Sequence, residues 1–236
     1  MTLRVCSWTL LFGIIFWMSS LRNLLLLLPV VLFFSTFAHS QDNSAVVGFT
    51  LDFQGANPSH YEISIASDGR GSYSSNGQLN QQSEPADPAP LQFTISGSVR
   101  AQIFDLVKKS RYFSGKIDSG RKNIANTGNK VLTYKDAGHN SQATYNYSPV
   151  PAIQELTSIF QGLSTTLEFG RRLTYFRKYE KLALDDDLKR MEQMQRENNL
   201  GDLQAISPVL NGIANDTSVM NVSRSRALRL LALAGK

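Results

Sequence analysis

Two segments near residue 50 alternate apolar and polar side chains, and this pattern limits what the chain can fold into. In the first, residues 46–54, every second side chain is apolar, and a spacing of two places such residues on one face of a strand. The second segment begins at Tyr61 and repeats the pattern. Asp68-Gly69 then supplies the positive φ of a tight hairpin turn, and Gly71–Ser75 forms the return strand. The apolar positions are Val47, Phe49, Leu51 and Phe53, then Tyr61, Ile63 and Ile65.

Further strands and helices are predicted along the chain. Leu91, Phe93 and Ile95 alternate, and Lys130–Lys135 and Ala143–Tyr147 form a second hairpin. Ser98 is the predicted N-cap of a helix. Pro151 suits the first turn of another helix.

The pattern as a whole predicts an α+β fold. Residues 41–163 form an antiparallel sheet of five or six strands with packed helices. Residues 164–236 form a helical C-terminal extension, in which Asp185-Asp186-Asp187 caps a helix.

The first 40 residues read as a leader for export. They contain two apolar stretches of 14 residues, Val5–Met18 and Leu24–Phe37, each shorter than a membrane-spanning helix. Ala38-His39-Ser40 has the small residues that signal peptidase reads, so we expect cleavage between Ser40 and Gln41. Met18 is then the expected translation start. The alternative is an uncleaved leader that anchors the protein in a membrane.

The composition of the mature chain limits which cellular compartments and which classes of partner are expected. Cleavage removes Arg4 and Arg22 and no acidic residue, so the net charge falls from +5 to +3. A charge this small does not predict nucleic-acid binding, which needs a concentrated basic face. The only cysteine, Cys6, lies in the leader, so the mature chain has no disulfide and no thiolate chemistry. An exported chain without disulfides favours the bacterial periplasm or the extracellular medium of a bacterium.

The order of these elements also resembles a known family. The segment Tyr61–Tyr73 and the strand-to-helix run Phe93–Phe113, with the hairpin after it, resemble a domain-of-unknown-function family of exported bacterial proteins. The resemblance covers about Val46–Leu163 and implies compartment and fold, but no activity. Family members carry cysteines before the Tyr strand, where this chain has Ala56–His60. Any role of those cysteines therefore does not carry over.

The polar residues of the mature sequence form no recognised catalytic or metal-binding pattern. His60 and His139 lie in separate predicted turns and lack a paired spacing, so we interpret both as solvated histidines. The glycines form no phosphate-binding loop, and Gly-x-Ser-x-Gly is absent. We therefore expect neither a cofactor nor a metal, and no enzymatic activity.

One cluster combines basic and aromatic residues, and we call it the basic patch. It is a candidate for contact with phosphates, lipid head groups or an acidic partner. The simpler interpretation is an amphipathic helix that buries its aromatic rings and solvates its charges. The basic patch consists of Arg171, Arg172, Tyr175, Arg177 and Lys178.

These observations favour a non-catalytic binding or interaction module that is exported. Its partner would be an envelope or extracellular protein or polymer. The alternative is an envelope hydrolase that uses dispersed carboxylates, such as Asp52, Glu62 and Asp136, because carboxylates on different strands can converge without a sequence motif.

Overall fold

Six antiparallel strands form one sheet in the computed structural model, which describes residues 44–80, 90–121 and 123–234. The order across the sheet is β4-β3-β2-β1-β5-β6, so the first strand lies near the centre. The prediction of an α+β fold with five or six antiparallel strands is confirmed. The strands are β1 (Val46–Asp52), β2 (His60–Ala66), β3 (Arg70–Ser75), β4 (Leu91–Thr94), β5 (Asn129–Lys135) and β6 (Asn140–Tyr145).

The register of the central strand explains the alternation in the sequence. Phe49 pairs with Ile63 of β2 on one side and with Leu132 of β5 on the other, and all three side chains are buried. The intervening residues, such as Thr50 and Ser64, lie on the opposite face and are only half-buried. An antiparallel sheet with one buried and one polar face gives this period of two.

Five α-helices and two short 3₁₀ segments accompany the sheet in the described part of the chain. α1 is capped by Ser96, whose Oγ accepts from the backbone N–H of Val99 at 3.4 Å, so the predicted cap at Ser98 was wrong by two residues. The predicted cap at Asp185-Asp186-Asp187 was also wrong, since these residues lie inside α3. The helices are α1 (Gly97–Lys109), α2 (Pro151–Tyr179), α3 (Lys181–Arg196), α4 (Ser207–Ala214) and α5 (Asn221–Leu231), and the 3₁₀ segments are Arg111–Phe113 and Leu203–Ile206.

None of the helices within the described ranges has the length and hydropathy needed to cross a membrane.

α2 lies on the apolar face of the sheet and runs across the strands. Thr157 contacts Tyr145 of β6 with 2.5 Å between their hydroxyl oxygens, and the ring of Phe160 stacks on Phe49 of β1 at 5.1 Å. Further along, Arg171 donates to Ser75 of β3. Residues 157–171 span about 21 Å of helix, and four strand spacings cover about 19 Å. One helix therefore covers most of the width of the sheet.

The opposite side of α2 is covered by the C-terminal helices. A Cβ added to Gly170 would lie 2.6 Å from Ile206, and Leu163, Leu167 and Leu173 are all fully buried. A helix buried on all sides is typical of the middle of a layered core. The boundary that we placed between residues 163 and 164 falls inside this helix, and residues on both sides of it belong to one hydrophobic cluster.

A contact between two backbones fixes the loop that follows α3. The N–H of Gly201 donates to the carbonyl of Gly162 at 3.0 Å and to Oγ1 of Thr166 at 3.0 Å. A Cβ added to Gly201 would lie 2.5 Å from the backbone nitrogen of Leu163. Only glycine fits here, because the obstructing atoms belong to helix backbone and cannot move aside.

The Gly201→Ala substitution should therefore lower the free energy of unfolding by about 1–3 kcal/mol, the usual range for overpacking. Urea denaturation of both proteins measures this difference. Gly97→Ala is the matched control, because nothing lies within 4 Å of a Cβ at that position. We expect no loss for the control, and equal losses for the two variants would contradict the close backbone contact.

Candidate functional site

A buried ion pair within α2 is hydrogen-bonded to strand β3. Nη1 of Arg171 lies 2.9 Å from Oε1 of Glu168, and the side chains are only 16% and 7% exposed. The same carboxylate oxygen accepts from the hydroxyl of Tyr73 at 2.7 Å and from the hydroxyl of Ser75. A buried carboxylate needs such donors, because an unpaired charge inside a protein is costly.

Two tyrosine hydroxyls meet one serine beside this ion pair. The Tyr73 hydroxyl oxygen lies 3.0 Å from Oγ of Ser164, and the hydroxyl of Tyr61 bonds to the same serine. Burial raises the pKa of Tyr61 and of Tyr73, and the charge of Glu168 raises that of Tyr73 further. Both phenols are therefore neutral hydrogen-bond donors across the physiological pH range.

This network forms one wall of a surface cleft, which we call the arginine cleft. It has an inner depression of about 520 Å³ and an outer depression of about 420 Å³. Asn57, Arg172 and Arg190 line both depressions. The inner depression is also lined by Tyr61, Gln161, Ser164, Thr165 and Glu168, and the outer one by Gln78, Asn80, Phe176, Glu180 and Asp187.

The two arginines of the cleft differ in how their charges are compensated. Nε of Arg172 lies 3.1 Å from Oδ2 of Asp187, and its guanidinium also lies 4.4 Å from the ring centre of Phe169. Burial raises the pKa of Asp187, although Arg172 and Arg190 both act to lower it. Arg190 is exposed and has neither an ion pair nor a hydrogen bond with any residue in the described part of the chain.

The members of the predicted basic patch point in different directions around α2. Arg171 is held by Glu168, Arg172 by Asp187, and Arg177 by Asp216, whose Oδ2 accepts from Nε at 2.9 Å. The hydroxyl of Tyr175 accepts from Asn80 at 3.2 Å, and Nζ of Lys178 lies 4.8 Å from the ring centre of Tyr179. Of these five residues, Arg172 lines the arginine cleft.

Two of the three carboxylates named as alternative catalytic groups share a partner. Nδ1 of His60 lies 2.6 Å from Oδ1 of Asp52, and its Nε2 lies 3.6 Å from Oε1 of Glu62. All three side chains are more than a third exposed.

The third, Asp136, lies at the opposite end of the sheet. It follows Lys135, which pairs with Val46 at the start of β1, whereas Asp52 ends the same strand. There Asp136 accepts from the hydroxyl of Tyr134 at 2.7 Å and contacts Nδ1 of His139 at 3.1 Å. The hydrogen bond from Tyr134 lowers the pKa of Asp136 to about 2.

Ser40 and Gln41 lie outside the described residues. Within the described ranges, no group of three or more His, Cys, Asp or Glu side chains is arranged to hold a metal ion.

No protein-family model and no curated protein matches the sequence. The resemblance to an exported bacterial family therefore stays a prediction.

Sequence reasoning placed Arg171 in the basic patch but missed its ion pair with Glu168. The two residues stand three positions apart on a helix, a spacing that brings opposite charges together, so this signal was available. Asn57 and Arg190 gave no such signal, because the loop after β1 and the third helix meet only through the tertiary fold.

The ion pair of Glu168 and Arg171 should contribute to stability in a way that an exposed pair does not. Glu168→Gln keeps the size of the side chain but leaves the charge of Arg171 uncompensated, so we expect a loss of about 3 kcal/mol in unfolding free energy. Asp105→Asn is the control, since Asp105 and Lys109 form a pair at 2.7 Å with both side chains more than half exposed. Its loss should stay below about 1 kcal/mol in the same denaturation experiment. Similar losses for both variants would refute the structural importance of the buried pair.

Proposed function

We propose that this protein is an exported, non-catalytic binding module and that the arginine cleft is its binding site. The partner is an envelope or extracellular polymer, or a protein that carries the same polar groups. The observation that carries the proposal is the guanidinium of Arg190, which has no ion pair or hydrogen bond with a described residue and lines both depressions beside an arginine that is already paired.

The chemistry of the cleft supports a polar ligand. Arginine and amide side chains donate hydrogen bonds in fixed directions, whereas carboxylates such as Asp187 accept them. Phe169 and Phe176 add apolar surface. A pocket with a few well-placed polar groups on a rigid framework is typical of ligand sites. The framework here is α2, which the buried pair of Glu168 and Arg171 holds against the sheet.

Export is the second part of the proposal. A cleaved leader would leave Gln41 as the first residue and remove Trp8, Trp17 and Cys6. The intact mass of the secreted form should match residues 41–236, and its fluorescence should lack tryptophan emission. A mass that includes residues 1–40 would favour the alternative, a membrane protein anchored by its leader.

A hydrolase is the second candidate function, favoured by the contact of Asp52 and Glu62 with one histidine. In this hypothesis, His60 acts as a general base and Asp52 orients its imidazole ring. The three side chains do not line the arginine cleft, so the two candidate functions use separate surfaces. Hydrolysis of an activated ester that disappears in His60→Ala, and not in Arg190→Gln, would support the hydrolase.

Blocking the cleft tests the binding proposal. Thr165→Trp places a large ring in the inner depression, and we expect the mature protein to lose co-sedimentation with isolated bacterial peptidoglycan, an envelope polymer that carries hydroxyl and carboxylate groups. A fall in the bound fraction of about tenfold or more is expected, because the ring would occupy the space of the ligand.

Thr174→Trp is a matched control on the same helix. Both threonines donate a hydrogen bond to the carbonyl four residues earlier, at 3.0 and 2.8 Å. Nine residues separate them, which at 100° per residue places them on opposite sides of α2. The control should bind like the unmodified protein. Binding that is equal for both variants, or no binding by any form, would contradict the proposal for this polymer.

A further inference from the structure

We infer that the group recognised in the arginine cleft is an anion, a carboxylate or a phosphate, and that Arg190 is its principal contact. This inference rests on the proposed binding function and adds the chemical class of the ligand. It follows from which of the charges around the inner depression are paired.

The negative charges near the inner depression are already compensated. Glu168 is the only carboxylate among its described lining residues, and Arg171 neutralises it at 2.9 Å. The side chain of Asp187, beside the outer depression, is 11% exposed and is paired with Arg172. Once these pairs are formed, Arg190 is the arginine of the inner depression that has no ion pair with a described residue, although its charge also interacts with that of Asp187.

Glu180 is the other acidic group of the cleft, and it faces the outer depression. Its Oε1 accepts from Nδ2 of Asn80 at 2.9 Å, and its carboxylate also bonds to the hydroxyl of Tyr175. Among the described lining residues, the inner depression therefore has two arginines and one carboxylate, whereas in the outer depression Glu180 and Asp187 balance the same two arginines. An anionic group is favoured in the inner depression.

Two amide side chains line the inner depression together with Arg190. Oδ1 of Asn57 accepts from the backbone N–H of Gln78 at 3.2 Å, so its NH₂ is the group that can donate to a ligand. Gln161 supplies the second amide. A guanidinium presents a planar pair of N–H groups to a carboxylate or phosphate, and such charge-assisted bonds are stronger than neutral ones. Arg190 with two amides thus has the donor set of an anion site.

The volume of the inner depression, about 520 Å³, exceeds what a single phosphate or carboxylate group fills. The anion is therefore one group of a larger ligand. A carboxylate belonging to a polymer and a phosphate on a smaller molecule share this chemistry, and separate probes distinguish them.

Titration of the mature protein with citrate and with inorganic phosphate, followed by NMR of backbone amides, tests the inference. The signals of residues 57, 161 and 190 should shift with at least one probe. Arg190→Gln should raise the Kd of that probe about tenfold or more, since a hydrogen bond to a charged group contributes about 1.5–3 kcal/mol. A response to citrate alone identifies a carboxylate ligand, and a response to phosphate alone identifies a phosphate ligand.

Arg100→Gln is the matched control, because Arg100 is an exposed arginine of α1 that does not line the cleft. It should leave the Kd unchanged. Equal weakening by both variants would show a non-specific charge effect and overturn the inference, as would the absence of any shift with either anion.

A neutral sugar, maltotriose, separates this inference from the proposed function. If the sugar shifts the same residues and Arg190→Gln does not alter its Kd, while the anions have no effect, the cleft binds ligands but the inferred ligand class is wrong. The binding function itself is decided by the Thr165→Trp and Thr174→Trp pair.

Discussion

Phe49, in the central strand, stacks on Phe160 of α2 with the two rings nearly parallel at 5.1 Å, and much of the structure is arranged around this contact. A single sheet with one apolar face is stable only if another layer covers that face. α2 provides the cover by crossing the strands from β6 to β3. Its contacts with the sheet also set the position of every α2 residue that lines the arginine cleft.

The same helix explains why the C-terminal helices belong to the core. Leu163, Leu167 and Leu173 are fully buried, although α2 already packs on the sheet with its other side. These side chains pack in one hydrophobic cluster with residues such as Leu184 and Leu210. The segment that follows residue 163 is therefore needed to keep the apolar surface of α2 away from water. The arginine cleft is a consequence, since α3 brings Arg190 to the loop that contains Asn57.

Much of the sheet could be predicted from the sequence, and much of α2 could not. In β1 and β2 each residue faces either the core or solvent, so the alternation of Val47, Phe49 and Leu51 reports the fold directly. In α2 the buried positions include Ser164, Thr166 and Glu168, which break the apolar stripe. Their burial is favourable only because of partners on other elements, such as Tyr73 and Gly201. The sequence of the helix alone does not reveal those partners. For this reason we predicted a domain boundary between residues 163 and 164.

The prediction of the binding site was limited for the same reason, because it too depends on contacts between elements that are distant in the sequence. Arg172 was identified because it lies in a cluster of basic residues, whereas Arg190 was missed because its significance depends on which charges around it are paired.

The central claim is that α2 and the sheet form one cooperative unit, on which the cleft depends. Native-state hydrogen exchange tests it directly. We predict that amides on both sides of residue 163 in α2 exchange with the same free energy of opening as those of β1. Exchange of residues 164–176 at a clearly lower free energy than β1 would contradict the account.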